Sequence, residues 1–190
     1  MSILETIATV CGLIQGMLIL LKKKENWIFY FGNIGILTVY SFFIKLYGDV
    51  IENAIYIVMG IFGTMIWHNE KTAKYFNAEQ IRYANKKEKI FYSLFFLVTT
   101  YIVYLLIANT DDPKPLSDAI TTGLGFCATL MMAQKLVESW IAWLVYDILM
   151  AYIYLTIPDI SYGLAFLNFV WIFMAVGSYV TWSKEAHETV

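Results

Sequence analysis

SDAITTGLGFCATLMMAQKLVESW, residues 117–140, is a second writing of LETIATVCGLIQGMLILLKKKENW, residues 4–27. At a shift of 113, Glu5 meets Asp118, Ile7 meets Ile120, Thr9 meets Thr122 and Gly12 meets Gly125. Lys22 then meets Lys135, Glu25 meets Glu138 and Trp27 meets Trp140. Further along the shift becomes 115, where Tyr47-Gly48 meets Tyr162-Gly163, Asn53 meets Asn168, Tyr56 meets Trp171 and Trp67 meets Trp182. Apolar helices resemble one another by composition, so matched Ile or Leu carries little weight. Matched acid, lysine, tryptophan and asparagine at a nearly constant offset point to a duplication. Repeated helix groups are a common plan of membrane transporters, whose halves surround a central site.

Apolar residues make up 59% of the chain and charged ones 15%, with a mean hydropathy of +0.62. A soluble chain of 190 residues could not cover that surface with polar groups, whereas a bilayer favours it. The net charge of −2, with basic residues gathered in edge loops, leaves no nucleic-acid footprint. Cys11 and Cys127 lie in apolar stretches, are not repeat partners, and read as small buried residues, not disulfide or metal ligands. Glu5 stands where a signal peptide would be basic, so the first helix reads as a retained span. His68 and His187 fall outside the apolar stretches, and no HExxH or Ser-His pattern occurs in a helix. The polar stretch 68–88 has no glycine with which to cradle a phosphate. Neither an enzyme nor a cofactor or metal site is expected.

A crossing helix needs about 20 mostly apolar residues. Seven stretches qualify: 4–21, 27–45, 49–67, 89–108, 117–134, 140–157 and 160–182. Pro113, Pro115 and Pro158 are expected in turns. Lys22, Lys23, Lys24, Lys71, Lys74, Arg82, Lys86, Lys87, Lys89, Lys135 and Lys184 fall on one side, and only Lys45 and Lys114 on the other. Eleven against two predicts an outside N-terminus and a cytoplasmic C-terminus. Both triplets then run the same way, with one helix reversing direction between them. The expected fold is an all-α membrane protein of seven transmembrane helices in a 3+1+3 parallel-repeat plan. Its parts are a first three-helix repeat (1–67), a cytoplasmic loop (68–88), linker helix 4 (89–108), a second three-helix repeat (117–182) and a cytoplasmic tail (183–190).

Polar residues inside the spans are the candidate solute ligands, because lipid cannot satisfy them. Asn53 and Asn168 are repeat partners, and their carboxamides both donate and accept, as a neutral polar solute would require. The competing role is an inter-helix hydrogen bond that holds the bundle, worth about a kcal/mol or less. Gln15 and Asn33 present the same choice. Asp147 shares a helical face with Trp143 and Trp140 and could accept hydroxyl protons or balance a cationic ring. It could equally line a wet outer vestibule, as could Glu52. Tyr56 and Trp171, partners one turn beyond the two asparagines, are placed to stack a flat ring. Trp27, Trp67 and Trp182 fit an aromatic belt at the cytoplasmic interface, and Gly12 with Gly16 a helix-packing face. Glu25 and Glu138, just before the second helix of each triplet, fit helix-capping roles.

KLVESWIAWLVYDILMAYIYLTIPDISYG, residues 135–163, resembles the K-x-V-E-x-W-x-x-W-x-x-x-(N/D) stretch of bacterial nicotinamide riboside transporters of the Pnu family. ENWIFYFGNIGILTVYSFFIKLYGD, residues 25–49, resembles the corresponding first-half segment, and the similarity runs from helix 1 to Trp182. The resemblance implies a full-length relative of the SWEET sugar-transporter fold. It also implies uptake of a vitamin precursor by facilitated diffusion across a bacterial inner membrane. Phosphorylation by a cytoplasmic kinase, with no contact to the carrier implied, would then trap the solute. The family's G-W-Y-x-W ending of helix 3 reads Gly63-Thr64-Met65-Ile66-Trp67 here, which leaves the vitamin open. Nicotinamide riboside stands first, then thiamine, then a deoxynucleoside or riboflavin. A proton- or sodium-coupled carrier and a non-transporting scaffold also stay open. Partners are the small solute and the bilayer, with room for a homo-oligomer and none for nucleic acid.

A reporter fused after Val190 is expected to be active in the cytoplasm, and one placed before Met1 to be exported. The opposite pair of results would overturn the span count.

Overall fold

The apolar stretches fold as helices, since in the absence of water a backbone must satisfy its own hydrogen bonds. The computed structural model describes residues 3–43, 47–110, 114–156 and 162–188. Its helices are α1 (Ile3–Leu20), α2 (Asn26–Phe43), α3 (Tyr47–His68), α4 (Glu70–Tyr75), α5 (Lys86–Ile107), α6 (Pro115–Ala133), α7 (Ser139–Thr156) and α8 (Tyr162–Glu188). Seven of them fall on the seven apolar stretches, and α4 is one short extra helix inside the polar segment expected as a loop. Among the described residues, Lys86–Ile107, Pro115–Ala133 and Ala165–Glu188 are long and apolar enough to cross a bilayer. Val10–Leu20 and Ser139–Ile153 are shorter apolar runs. Pro115 does not sit in a turn; it opens α6, where its missing N–H is no loss. Lys45, Pro113 and Pro158 lie outside the described residues.

The chain divides into two units, 1–79 and 80–190. In the first, α2 packs against both α1 and α3, and α4 rests on α3. In the second, α5, α6, α7 and α8 each pack on their neighbours in the chain. α6 is sandwiched there, and its run of Thr121, Thr122, Gly123, Gly125, Cys127, Ala128 and Thr129 is buried. These small residues let the helices approach closely. A Cβ at Gly123 would run into Thr100 and Phe96 of α5.

The α1–α2 and α6–α7 turns match bond for bond. Lys22 and Lys135 both take the left-handed conformation at φ 57°, a position usually filled by glycine and costing another residue about 1–2 kcal/mol. The Lys22 N–H donates to Ile19 O at 2.8 Å and the Lys23 N–H to Leu18 O at 2.7 Å. At the second turn Lys135 donates to Met132 O at 3.0 Å and Leu136 to Met131 O at 2.9 Å. Asn26, Trp27 and Ile28 donate to Lys23, Lys24 and Glu25, as Ser139, Trp140 and Ile141 donate to Leu136, Val137 and Glu138.

Of the three tryptophans expected in the belt, Trp27 and Trp182 are core and Trp67 is half-buried. Trp27 and Trp182 are 1% and 0% exposed, which corrects the expectation of interfacial anchors facing lipid. Trp27 meets Trp67 edge-on at 6.1 Å and 82°, and Trp140 meets Trp182 at 5.2 Å and 87°. Trp27 fits because Gly63 opposite leaves a slot: a Cβ there would overlap the indole. One turn along, a Cβ at Gly60 would come within 2.6 Å of the Tyr30 ring, whose hydroxyl donates to Tyr56 O at 2.9 Å.

Gly63→Ala is expected to lower the apparent midpoint of thermal unfolding in detergent, by the ~1–3 kcal/mol typical of overpacking. Trp27→Phe in the same chain should recover part of the loss. An unchanged midpoint for Gly63→Ala would show that the indole has room to move.

Candidate functional site

Each unit contributes its own set of buried polar groups. In the first, Gln15 is buried and Asn33 and Asn53 are half-buried, while Tyr56 is buried with its carbonyl engaged by Tyr30. The antiparallel register set by Trp27 on Gly63 and Tyr30 on Gly60 brings Asn33 level with the Tyr56 turn of α3. Cys11 Sγ lies 3.5 Å from where a Cβ of Gly32 would be, which sets Gln15 about one turn nearer the α1–α2 connection. Gln15, Asn33 and Asn53 are therefore strung along roughly 13 Å of helix rise and do not form a single ring. Gly12 and Gly16 are buried along α1.

In the second unit, Asp147 is 5% exposed on the face of α7 that also buries Trp140 and Ala151. No described residue gives it a hydrogen bond or a counter-ion. An isolated carboxylate in an apolar setting is costly to keep, so the fold does not need it where it stands. Trp143 shares that stripe but is only half-buried, packed edge-on to Tyr146 at 5.3 Å. Trp140 is 5% exposed and its ring is committed to Trp182, which makes it a wall more than a free ring face. On α8, Asn168 is buried and Trp171 half-buried. Extending the Trp140–Trp182 register sets Asp147 level with Ala175, about two turns from Asn168. Glu52 is half-buried on α3.

Ser139 and Ser178 escape a search for large polar side chains, yet both are buried. Their hydroxyls, the Trp140 and Trp27 indole N–H groups and the Asn26 side-chain oxygen Oδ1 find no hydrogen-bond partner among the described residues. Asn26 and Ser139 stand at corresponding places in the two similar turns, so each unit carries unfilled hydrogen-bonding capacity beside its buried tryptophan. The 113-residue offset that sets Asn26 against Ser139 was the signal that could have found Ser139. Such groups are ready to hold water or a polar solute. No group of three or more His, Cys, Asp or Glu able to hold a metal occurs among the described residues.

The sequence profile of the nicotinamide mononucleotide transporter family matches residues 2–184. A crystal structure of the vitamin B3 transporter PnuC is similar in fold, with a TM-score of 0.77 at 18% identity. The match covers 97% of this chain and 82% of that one.

Asp147→Leu is expected to raise the apparent unfolding midpoint of the ligand-free protein in detergent. Replacing a buried polar group without partners by an apolar one of similar size relieves about 1–3 kcal/mol. A lowered midpoint would reveal a structural partner for the carboxylate.

Proposed function

The chain belongs to the nicotinamide mononucleotide transporter family, and on that premise we propose that it takes up nicotinamide riboside by facilitated diffusion. It is a multi-pass membrane transporter and not an enzyme. The observation that carries the choice of solute is Asp147, buried and without a counter-ion among the described residues. A pyridinium ring supplies the missing positive charge. All thirteen Lys and Arg residues stand in loops or at span edges, so no cation inside the spans is available for a phosphate. That favours the riboside over its phosphorylated form. Once inside, phosphorylation by a cytoplasmic kinase would trap the solute.

In this proposal the seven long helices all cross a bacterial inner membrane in the 3+1+3 plan, related to that of SWEET transporters. The N-terminus is outside and the C-terminus cytoplasmic. The matching turns at Lys22 and Lys135, and the matching Trp pairs, support descent of both triplets from one duplicated unit. Asn53 and Asn168 bond the polar parts of the solute, Tyr56 and Trp171 face its ring, and Asp147 with Trp143 answers its charge. Gln15 and Asn33 extend the polar lining, and Trp140 backs it. Thiamine, also cationic, is the next solute to test. The same buried carboxylate favours an ion-coupled carrier as the second mechanism, in which a proton or sodium ion takes the place of the cationic ring.

Uptake into liposomes separates these mechanisms. Nicotinamide riboside should equilibrate and no more, whereas accumulation above the outside level under a proton or sodium gradient would sink the passive mechanism. Asn53→Ala and Asn168→Ala should each weaken binding by about 1–3 kcal/mol, the cost of a lost hydrogen bond to a buried group. Asp147→Asn should weaken binding of a cationic vitamin well beyond that of a neutral deoxynucleoside, as titration of the purified protein would show. Equal binding of both solutes by parent and variant would remove Asp147 from the site.

A further inference from the structure

The K-L-V-E run at residues 135–138 holds a strap that the transport chemistry leaves unexplained. Arg82 lies alongside the α6–α7 turn as a short parallel bridge: its N–H donates to Lys135 O at 3.2 Å, and its carbonyl accepts from the Val137 N–H at 3.0 Å. The Glu138 carboxylate was expected to cap α7. Instead its Oε2 accepts from the Ala84 N–H at 2.9 Å, and its Oε1 stands 3.2 Å from Lys89 Nζ on α5. Arg82 reaches Glu88 with both terminal guanidinium nitrogens, Nη1 and Nη2, at 2.8 and 2.7 Å. Asn85 and Glu88 complete a capping box that starts α5, with bonds of 2.8 and 3.0 Å. The Tyr83 hydroxyl donates to Ser183 Oγ at 3.0 Å and lies 3.4 Å from His187 Nε2, which ties in the end of α8. Beneath the strap, Ile81, Ala84, Leu136 and Val137 are buried, and Ala84 joins the apolar cluster of Tyr92, Cys127 and Met131.

We infer that residues 81–89 are a clasp that makes α5, α6, α7 and α8 move as one body, and that it stays closed through the transport cycle. One segment touches the start of α5, the α6–α7 turn and the last turns of α8, so none of these ends can shift without breaking a bond to it. The Lys89–Glu138 pair, whose ammonium stands in solvent, contributes little by itself. The two-way backbone bridge and the charge-assisted bond from Ala84 to Glu138 carry the hold. The clasp sets how fast the protein changes conformation, not how tightly it binds a solute.

Two arms test this, and the first needs no solute. In Glu138→Ala the amides of Arg82, Ala84 and Val137 should exchange with deuterium about tenfold faster than in the parent, an opening shift of roughly 1.4 kcal/mol. Tyr83→Phe, which keeps the ring, should speed exchange at the end of α8. It serves as the readout if Glu138→Ala does not fold. Unaltered exchange in the variants overturns the clasp. The second arm rests on the transport proposal and measures nicotinamide riboside uptake into liposomes. Glu138→Ala should lower Vmax severalfold with KM unchanged. Cross-linking Tyr83→Cys to Ser183→Cys with a short bifunctional thiol reagent, which spans the reach of the lost phenol, should leave uptake intact when Cys11 and Cys127 are replaced by alanine. Uptake abolished by the cross-link would mean that the strap must open, and a KM shift without a Vmax loss would place Glu138 in solute binding. Either result overturns the inference. If the parent takes up no nicotinamide riboside, the solute assignment fails, while exchange still decides the clasp.

Discussion

A bulky indole buried over a glycine sets the packing of the first unit. Trp27 occupies the slot over Gly63, and the register of α2 on α3 follows from it: Tyr30 meets Gly60 one turn on, and the Tyr30 hydroxyl reaches the backbone at Tyr56. In the second unit Trp140 meets Trp182, with Ser178 buried one turn before Trp182. Between apolar helices in lipid there is no hydrophobic drive to associate, so close fit and a few hydrogen bonds must do the holding. A large flat ring in a small-residue slot provides that fit.

Tight packing leaves the polar side chains as exceptions to be explained. A bundle held by close fit does not need Asp147, and an unpaired carboxylate works against it. Groups that cost stability and serve no packing purpose are where function is expected to reside. Asn33, Asn53, Trp143 and Trp171 are half-buried, neither sealed in the core nor turned fully outward. The fully buried Trp27 and Trp182 belong to the scaffold that holds such residues in place.

The α6–α7 turn shows how one short motif can serve two ends. Its left-handed lysine stops α6 and starts α7, as Lys22 does between α1 and α2. Its carbonyl, amide and carboxylate groups also receive the strap from the preceding polar segment. That segment reads as a loop by composition, because Arg82, Asn85 and Glu88 are charged or polar. It is ordered because those side chains find partners close in sequence and across the unit.

Sequence alone determined the helices and most of their limits, because apolar runs separated by charged turns leave the backbone no other way to satisfy itself. The likeness of the α1–α2 and α6–α7 turns was likewise legible, since Lys22 and Lys135, and Trp27 and Trp140, are matches that hydropathy does not produce by itself. The candidate residues Asn53, Asn168 and Asp147 could be named for the same reason: a polar group stands out in an apolar run. Tertiary structure decided which way side chains face and at what depth. Hydropathy placed Trp27 and Trp182 at a helix end, where lipid and core look alike, and only the slot at Gly63 and the ring of Trp140 turned them inward. Glu138 looked like a cap because a carboxylate at a helix start has a favourable partner nearby. The Ala84 amide, 54 residues away in the chain, offered a better one. Spacing along a helix is written in the sequence, but contact between helices depends on register, and register is set by the shapes of side chains that meet only once the chain has folded.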